Sequence, residues 1–473
     1  MASISQLQDI ASLIRRDSLI STTEAGSGHP TSSMSCADIL SALFFEEMSY
    51  DPKNPDNPDN DEFILSKGHA APALYPALIR SGCINQNIKT LRKANSPLEG
   101  HPMPRSLKWI KVASGSLGQG LSIGLGMALA ARIQKRKFRT FVLLGDSELA
   151  EGSNYEAAQL AVHYKANNLV AIVDINRLGQ RGETLVGHRI QEYKSRFQGF
   201  GWNVLTIDGH NMKQILSTLK QARSSSKPTI ILAKTFKGRG VSFLENKDNW
   251  HGKAVPKEKL QSALEELPNP PMPIIKIKKP IKVSSSQRKS STLKLPSFSL
   301  DDLVATRASY GKTLASLAKA DPNIIAVDAE VSNSTHSQEV KNLTPEQFIE
   351  IFIAEQNMMG IALGLSKKGL KPYASTFAAF LLRAHDQIHM ASLSSAKFTI
   401  CGSHAGISIG QDGASQMSLE DIGFFRSLED SVVLYPSDAN STAKLINKSQ
   451  KNKFLTYIRT TRAKHQSSTN LQN

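Results

Sequence analysis

The stretch that decides the fold is GDSELAEGSNYEAAQLAVHYKANNLVAIVDINRLGQ, residues 145–180. The apolar residues 138–144 precede it and predict a buried strand, and residues 168–174 near its end predict a second one. A helical pattern lies between them, so the stretch predicts a strand–helix–strand unit with parallel strands. Asp146 and Asn176 each follow one of these strands. Parallel strands end at the same edge of a sheet, which is where open α/β sheets bind ligands.

Three oxygen atoms at this edge suit a hard cation. Asp146 offers a carboxylate oxygen, Asn176 an amide oxygen, and the loop that follows a backbone carbonyl near Leu178. Such oxygens suit Mg²⁺ or Ca²⁺, whose remaining positions a diphosphate and water can fill. Asp and Asn at strand ends are also common turn formers, and that is the plainer interpretation of either residue taken alone.

The alternation of strands and helices continues through two long parts of the chain. We predict one α/β domain over residues 1–268, a basic linker rich in Pro, Ser and Lys over 269–300, a second α/β domain over 301–464 and a polar tail over 465–473. Further predicted elements of the first domain are strands at 204–207 and 229–233 and helices at 121–134 and 155–164. Those of the second domain are strands at 324–327, 348–353, 373–376, 398–401, 432–435 and 454–458 and helices at 357–365 and 381–393. The predicted fold class is α/β, with two doubly wound parallel sheets.

The composition is that of an ordinary globular protein. The chain has 473 residues, 40% hydrophobic and 21% charged, a length that implies about two to three domains. No apolar run approaches the roughly 20 residues that a membrane helix needs. The N-terminal pattern predicts an amphipathic helix, so we expect no signal or transit peptide. Cys36, Cys83 and Cys401 form no CxxC pair, which indicates neither a disulfide framework nor a zinc site and favours a cytoplasmic protein.

The net charge of +16 is concentrated outside the predicted domain cores. Residues 271–300 hold seven Lys or Arg and no acid, and residues 448–473 hold six and no acid. A nucleic-acid surface would instead interleave basic residues with aromatics on a folded face. We therefore interpret the two segments as solvated and expect neither a nucleic-acid nor a membrane partner.

Gly145-Asp146 followed about thirty residues later by Asn176 resembles the thiamine diphosphate signature. The surrounding phrases resemble the transketolase family, in its animal-type form. Ten of them stand in the family's order: GSGHPTSS (26–33), LSKGHAAP (65–72), GHPMP (100–104), GSLGQG (115–120), DINRLGQ (174–180), AKTFKGRG (233–240), WHGK (250–253), IAEQNM (353–358), STFAAF (375–380) and GSHAGISIGQDGASQM (402–417).

The resemblance implies a cofactor, a reaction and an assembly. The first domain would bind the diphosphate and the second the pyrimidine of thiamine diphosphate, with Mg²⁺ or Ca²⁺ as the metal. The enzyme would transfer a two-carbon glycolaldehyde unit from a ketose phosphate such as xylulose 5-phosphate to ribose 5-phosphate or erythrose 4-phosphate, in the pentose phosphate pathway. A homodimer with active sites at the subunit interface is expected. Full-length relatives continue into a third α/β domain that is absent here.

The resemblance also assigns site residues. The metal ligands would be Asp146, Asn176 and Leu178, and the cofactor contacts Ser32, His69, Gly115, Ser116, Leu117, Ser147, Asn176, Lys237, His251, Phe380 and Gln416. Gly115 to Gly120 precede a predicted helix, so their amides can face a phosphate. Glu151 matches the family's supporting carboxylate, although it equally suits a helix N-terminus. Phe380, with Phe377 nearby, would offer the pyrimidine an aromatic face, and both otherwise suit a plain core.

Proton transfer and substrate binding are assigned in the same way. Glu355, in IAEQNM, would be the acid at the pyrimidine ring, because burial would keep it protonated. Five histidines on glycine-flanked loops suggest a polar channel: His29, His69, His101, His251 and His404. The catalytic set is therefore Glu355, His29, His101 and His251. His29 and His251 would also bind substrate, together with Arg307, Ser334, His404 and Arg459 as a phosphate clamp and Asp412 as the reader of hydroxyl stereochemistry.

Four positions depart from the family pattern. Ser147 replaces the second glycine of GDG, Gln411 an acid, Ala414 a proline and Glu330 an aspartate.

Two hypotheses about the function follow from the resemblance and these departures. One is an active transketolase, and the other is a catalytically weak transketolase-like paralogue that binds the cofactor and regulates a full-length partner.

Overall fold

The computed structural model describes residues 2–284 and 290–469. The chain divides into two units. Unit 1 comprises residues 2–128 and 136–284, and unit 2 comprises residues 129–135 and 290–469. Each unit contains one parallel sheet whose strands alternate with helices along the chain. The predicted fold class of two parallel-sheet α/β domains is therefore confirmed.

The sheet of unit 1 has five strands in the order β1-β2-β3-β5-β4, and every neighbouring pair is parallel. The strands are β1 Glu62–Leu65, β2 Thr140–Gly145, β3 Leu169–Ile175, β4 Asn203–Asp208 and β5 Thr229–Lys234. Both central strands of the deciding stretch, β2 and β3, are buried along their whole length. Burial on both faces explains why their sequences are continuous apolar runs.

Nine α-helices belong to unit 1 in the described part of the chain: α1 Ile4–Ala25, α2 Pro30–Ser35, α3 Ala37–Ala42, α4 Ala71–Arg80, α5 Gly120–Ile133, α6 Ser153–His163, α7 Ile190–Gly199, α8 Met212–Arg223 and α9 Lys257–Glu265. The amphipathic N-terminal helix is confirmed, with Leu7, Ile10, Leu13 and Ile14 buried. A capping box of Ser3 and Gln6 starts α1, and Gly26, at φ 64°, ends it.

Unit 2 contains a six-stranded parallel sheet in the order β11-β12-β10-β9-β7-β8, and a short antiparallel pair, β6 with β13. The strands are β6 Leu303–Ala305, β7 Ile324–Asp328, β8 Phe348–Glu350, β9 Lys371–Phe377, β10 Thr399–Ser403, β11 Ser431–Leu434, β12 Leu455–Arg459 and β13 Lys464–Gln466. The helices are α10 Thr306–Ala320, α11 Ser332–Thr335, α12 Gln338–Leu343, α13 Glu355–Lys367, α14 His385–Leu393, α15 Asp421–Ser427 and α16 Ala439–Ser449. None of the helices in the described part of the chain has the length and apolar character that crossing a membrane requires.

Some local predictions were wrong. The strand predicted over 348–353 ends at Glu350, and Phe352 adopts a left-handed φ of 59° that ends extended structure. The α-helix predicted over 381–393 is α-helical only from His385 to Leu393, which is α14, and its first residues belong to a 3₁₀ helix, Ala378–Ala384. The sequence did not predict β1, β6 and β13, because strands of three or four residues carry too little periodicity.

The segments predicted to be solvated make specific contacts. Lys278 O accepts a hydrogen bond from Tyr50 N at 2.8 Å, and Ile275 and Ile277 pack against the core of unit 1. In the tail, β13 pairs with β6. Residues 285–289 of the predicted linker and 470–473 of the tail lie outside the described residues.

Asp438 accepts hydrogen bonds from α16 and from the C-terminal segment of unit 2. It caps α16, where Oδ1 accepts a hydrogen bond from Ser441 N at 2.7 Å within a capping box. Its Oδ2 accepts from the backbone N–H groups of Ser468 and Thr469, at 2.9 and 2.7 Å. Burial alone would raise the pKa of this carboxyl, but the hydrogen bonds that it accepts hold the pKa below its ordinary value.

We expect Asp438→Ala to lower the free energy of unfolding of unit 2 by about 2–4 kcal/mol, because it removes a helix cap and the bonds to residues 468 and 469. Asp438→Asn should cost less, since its amide oxygen can still cap α16. Because the folded-state pKa is lowered, the wild-type advantage is present above about pH 4 and shrinks as the pH falls below it. Urea denaturation at pH 7 and pH 3 measures both effects.

The control is Asn211→Ala. The Asn211 side chain caps α8 by accepting one hydrogen bond, from Gln214 N, and its loss should lower the free energy of unfolding by about 1 kcal/mol. Equal stability of Asp438→Ala and the wild type at pH 7 would contradict the assigned role.

Candidate functional site

Asp146 and Asn176 lie at the same edge of the unit 1 sheet, because β2 and β3 end side by side. The backbone N–H of Arg177 donates to Asp146 Oδ2 at 2.7 Å. The N–H of Leu178 donates to Asn176 Oδ1 at 3.2 Å. The Asp146 carboxylate therefore contacts the loop that carries the other two predicted metal ligands.

The donor set at this edge fits a hard divalent cation. Asp146 is 6% exposed, and burial, together with the negative charge of Asp174, raises its pKa to about 6. A cation placed beside this carboxylate would stabilise its charged form. The described residues contain no group of three or more His, Cys, Asp or Glu side chains that could hold a metal. An ion here would therefore also need the Asn176 amide oxygen and the Leu178 carbonyl, which are the oxygen ligands that Mg²⁺ and Ca²⁺ prefer.

A buried ion pair, which the sequence analysis missed, lies beneath this edge. Lys67 Nζ contacts Asp174 Oδ2, and the two side chains are 1% and 0% exposed. Lys67 also donates to Ser32 O at 3.0 Å, and Ser35 Oγ donates to Asp174 Oδ2 at 2.6 Å. Burial alone would raise the pKa of Asp174, but the Lys67 ammonium and the hydrogen bonds hold it below its ordinary value. Lys67 lies in SKGH and Asp174 in DIN, two of the phrases that carry the family resemblance. Nothing else in the sequence pointed to their pairing.

Four of the predicted histidines form one cluster around His29. The ring centroid of His29 lies 5.1 Å from that of His69, 6.2 Å from that of His101 and 4.9 Å from that of His251. Burial lowers the pKa of His29 to about 4 and that of His251 to about 3, with neighbouring cations adding to the effect. The pKa values of His69 and His101 are also lowered, mainly by burial. At neutral pH each imidazole is therefore uncharged and offers one donor and one acceptor nitrogen.

Lys237 joins the histidine cluster to the metal edge. Its Nζ donates to Leu178 O at 2.7 Å, to Gly179 O at 3.2 Å and to His251 Nδ1 at 2.8 Å. Burial, and then the charge of Lys67, lower the pKa of Lys237 to about 8. The Leu178 carbonyl has two lone pairs, so the ammonium leaves one of them for a metal. The three N–H donors of this ammonium are thus all engaged, so a diphosphate oxygen would take the place of one of these contacts.

The glycine-rich turn is held differently from the prediction. The N–H of Gly118 donates to Glu148 Oε1 at 2.8 Å and that of Gly120 to Ser66 Oγ at 3.1 Å, so these two amides do not face a phosphate. Glu148 is 2% exposed, whereas Glu151, which matches the family's supporting carboxylate by resemblance and equally suits a helix N-terminus, is exposed. A buried carboxylate in this loop could not be told from an exposed one by sequence.

Gly115 has a structural reason to be glycine. Its φ is 140°, and a Cβ there would lie 3.0 Å from the ring of His101. Ser116 and Leu117 follow it at the half-buried start of the turn before α5. All three residues stay predicted cofactor contacts.

Several buried polar atoms of unit 1 have no hydrogen-bond partner among the described residues, and two of them, His29 Nδ1 and Ser32 Oγ, belong to predicted site residues. Buried polar atoms are almost always paired. Unpaired atoms beside the metal edge therefore fit a site that is completed by a polar ligand, as the resemblance to cofactor-binding proteins implies.

The four residues that depart from the family pattern are all exposed. Ser147 is exposed at the start of a 3₁₀ turn and has a negative φ, so its backbone does not require glycine. Glu330 adopts a left-handed φ of 62°, and its N–H donates to Glu350 Oε1 at 3.0 Å. Gln411 and Ala414 lie exposed in two short 3₁₀ turns.

In unit 2, Glu355 is the first residue of α13 and is 3% exposed. Its Oε2 is buried and accepts no hydrogen bond from the described residues. Arg383 Nη1, on a largely exposed side chain, lies 3.6 Å from it. Glu355 Oε2 therefore has an ion-pair contact but no hydrogen bond among the described residues, which is compatible with the predicted hydrogen bond to a ring nitrogen of a ligand. Arg383 was not predicted.

An aromatic stack lies in the same unit. The ring centroid of Phe377 is 5.2 Å from that of Phe380, nearly parallel, and 4.1 Å from that of His404. Asp412 and Gln416 end the two 3₁₀ turns, Gly410–Asp412 and Ala414–Gln416. The stack offers the flat surface predicted for a pyrimidine ring, and the contacts of Gln416 and Asp412 to ligands stay predictions.

The predicted phosphate clamp is only partly free. Arg307 Nη1 donates to Ser334 O at 2.7 Å, so Ser334 contributes its carbonyl and not its hydroxyl to this contact. Arg459 is 8% exposed, and its Nε donates to Asp421 Oδ2 at 2.8 Å. Asp421 was not predicted, because a pairing between residues that are 38 positions apart leaves no local pattern in the sequence.

Comparison with family models shows two matches that together span most of the chain. Residues 6–296 match the model described as "Transketolase, thiamine diphosphate binding domain". Residues 302–467 match the model described as "Transketolase, pyrimidine binding domain".

Individual proteins show the same similarity. The chain is 44% identical over 467 residues to "Transketolase" of Homo sapiens, across 96% of this chain and 74% of that protein. It is also 44% identical over 470 residues to "Transketolase-like protein 2" of Mus musculus, across 97% of this chain and 74% of that protein. The crystal structure of transketolase from Campylobacter jejuni is similar with a TM-score of 0.89 and 27% identity, covering 99% of this chain and 80% of that one.

We expect Lys67→Met to lower the free energy of unfolding of unit 1 by about 3–5 kcal/mol, because it leaves Asp174 buried without its cation. The double variant Lys67→Met/Asp174→Asn should recover part of that loss, since it removes both charges. Urea denaturation of the cofactor-free protein measures the three free energies.

The matched control is Lys93→Met. Lys93 pairs with Glu24 at 3.3 Å on the surface, with half-exposed side chains, and its loss should cost under about 1 kcal/mol. A Lys67→Met variant no less stable than Lys93→Met would contradict the role of the buried pair.

We expect Lys237→Met to raise the pKa of His251, because the variant removes the ammonium that repels an imidazolium there. The pKa should stay below its ordinary value of about 6.5, since burial remains. Imidazole resonances of the metal-free protein, followed by NMR between pH 3 and pH 8, measure the shift. The control is Lys234→Met, which alters the exposed end of β5 and should leave the pKa of His251 unchanged. If the pKa of His251 is also unchanged in Lys237→Met, the two residues are not coupled as described.

Proposed function

The chain belongs to the transketolase family, and from that membership we propose that it is a transketolase that transfers a glycolaldehyde unit from a ketose phosphate to an aldose phosphate. The donor would be xylulose 5-phosphate, and the acceptors ribose 5-phosphate and erythrose 4-phosphate, in the pentose phosphate pathway of the cytoplasm. The observation that carries the proposal is the meeting of Asp146, Asn176 and Leu178 at one sheet edge, joined through Lys237 to a cluster of neutral histidines.

Thiamine diphosphate and a divalent cation fit the residues of unit 1. Asp146, Asn176 and the Leu178 carbonyl would hold Mg²⁺ or Ca²⁺. Ser32 Oγ and His29 Nδ1 are buried polar atoms without a hydrogen-bond partner in the described residues, and Lys237 adds a positive charge. When bound, thiamine diphosphate supplies the carbon nucleophile that breaks the bond beside a ketose carbonyl.

The residues of this chain would handle the protons. Glu355 would hold a proton on its buried Oε2 and present it to the aminopyrimidine ring, which Phe380 would support from one face. The histidine cluster would exchange protons with sugar hydroxyls. Because their pKa values are lowered, His29 and His251 are neutral at pH 7, and each ring offers one N–H donor and one acceptor nitrogen to sugar hydroxyls.

Substrate specificity and assembly belong to the same proposal. Arg307 and Arg459, with Ser334 and His404, would bind the phosphate of a sugar phosphate, and Asp412 would contact its hydroxyl groups. His101 would face the reacting carbons beside His29. Two copies of the chain would form a homodimer in which residues of both subunits complete each active site.

A second candidate function is that of a catalytically weak paralogue that binds cofactor and regulates a full-length partner. The specific observation in its favour is that the chain has the same 44% identity to a transketolase and to a transketolase-like protein. The changed side chains at Ser147, Gln411 and Ala414 are a second reason to test it.

We expect the purified chain to bind thiamine diphosphate with Mg²⁺ in titration calorimetry and to convert xylulose 5-phosphate and ribose 5-phosphate. Asp146→Asn should weaken metal-dependent cofactor binding by at least roughly 10-fold, because it removes the charged ligand. Glu355→Gln should lower turnover by about 100- to 10,000-fold, since it removes the proton that the ring needs.

Asp208→Asn is the control for the metal edge, because Asp208 also ends a strand of the same sheet but is exposed. Cofactor binding without turnover would favour the regulatory paralogue. Absence of metal-dependent cofactor binding in the wild-type chain would reject both functions.

A further inference from the structure

Two loops of unit 1 carry the same Gly-His-Pro phrase, and the ring centroids of their histidines, His29 and His101, lie 6.2 Å apart. Arg92 contacts both loops. Its Nη1 donates to Ser27 Oγ at 3.3 Å, and a Cβ built on Gly100 would lie 2.8 Å from its Nε. The guanidinium therefore touches the loop of each histidine, although the sequence analysis gave Arg92 no role.

The backbone holds Arg92 in one place. Leu91 and Leu98 are fully buried, and the N–H of Arg92 donates to Leu98 O at 2.8 Å. Arg92 adopts a left-handed φ of 60°, which costs conformational energy in a residue that has a side chain. Such a backbone persists only where the surrounding contacts fix it, so the side chain of Arg92 starts from a fixed point beside the two loops.

The charge of Arg92 has no acid bound to it. No carboxylate in the described part of the chain forms an ion pair with its guanidinium. Arg92 and His101 line one open cleft together with Glu99. The Glu99 carboxylate accepts a hydrogen bond from Ser106 Oγ. The positive charge of Arg92 therefore reaches the imidazoles without a paired carboxylate to cancel it.

Both imidazoles respond to this charge. Burial, and then the charge of Arg92, lower the pKa of His29 to about 4. The same two causes, in the same order, lower the pKa of His101. The other groups that face His29 carry a positive charge or a titratable ring, and they are Lys67, Lys237, His69, His101 and His251. Arg92 is exposed, so salt screens its effect on the two rings.

The ligands proposed for this site are anions. A bound diphosphate or sugar phosphate favours the protonated form of a nearby imidazole, because opposite charges attract. We propose that Arg92 is a positioning residue, which holds the loops of His29 and His101 together and keeps both imidazoles neutral while an anionic substrate is bound. The inference rests on the proposed function, because it concerns the histidines that would exchange protons with the sugar.

Two variants separate the charge of Arg92 from its contacts. Arg92→Gln removes the charge and keeps a hydrogen-bond donor, whereas Arg92→Lys keeps the charge. We expect the pKa values of His29 and His101 to rise in Arg92→Gln and to stay near the wild-type values in Arg92→Lys, because a cation repels an imidazolium. NMR of selectively labelled histidines in the full, cofactor-free chain measures both values. High salt should shrink the difference between Arg92→Gln and the wild type.

The matched control is Lys93→Gln. Lys93 is the next residue, lines the same cleft and pairs with Glu24 at 3.3 Å, so its loss should leave both histidine pKa values unchanged. Unchanged values in Arg92→Gln would overturn the inference. An equal rise in Arg92→Gln and Arg92→Lys would overturn it as well, because the effect would then come from the lost contacts and not from the charge.

Turnover gives an independent measure. We expect Arg92→Gln to lower the ratio of kcat/KM at pH 6 to that at pH 8 by about 2- to 5-fold, because the acid limb of the profile moves to higher pH. The ratio in Arg92→Lys should stay within about 1.5-fold of the wild type. An unchanged profile of active Arg92→Gln would overturn the inference. A wild type that shows the pKa differences but no turnover would reject the proposed function alone, since the NMR result does not depend on catalysis.

Discussion

A buried lysine and a buried aspartate form an ion pair below the loops that carry the candidate site of unit 1. Lys67 leaves the end of β1 and contacts Asp174 in β3, and its ammonium also reaches the Ser32 carbonyl. Each charge would be very unfavourable there alone. Together they link three segments that are far apart in sequence, and these segments carry His69, Asn176 and the start of α2. The positions of the candidate ligands therefore depend on this pair being formed.

The two units differ in the charges that surround their candidate site residues. In unit 1 burial keeps the histidines uncharged, and burial together with the charge of Asp174 disfavours the ionised form of Asp146, which a bound cation would stabilise. In unit 2 the excess charge is positive, because the charges of Arg307 and Arg462 act on each other and Asp412, the carboxylate that pairs with Arg462 in the described residues, is exposed. The first environment favours a cation and the second an anion. Each unit thus has the polarity that its expected ligand, a metal diphosphate or a sugar phosphate, requires.

The features that could be predicted from sequence are those set by local pattern. The continuous apolar runs of β2 and β3 identified buried parallel strands, and the strand-end rule then brought Asp146 and Asn176 to one edge. Pairings between distant residues leave no such pattern, so Lys67 with Asp174 and Arg459 with Asp421 were missed. The same limit applies to Glu148. Two glutamates in one loop look equivalent until the fold buries one of them.

Glu148 binds three separate segments with one side chain. Its two carboxylate oxygens accept hydrogen bonds from Ser66 Oγ and from the N–H groups of Gly118 and Gly145. Burial raises its pKa above the ordinary value. Uptake of one proton by Glu148 would weaken its contacts with all three segments at once, because a protonated carboxyl accepts hydrogen bonds less strongly than a carboxylate.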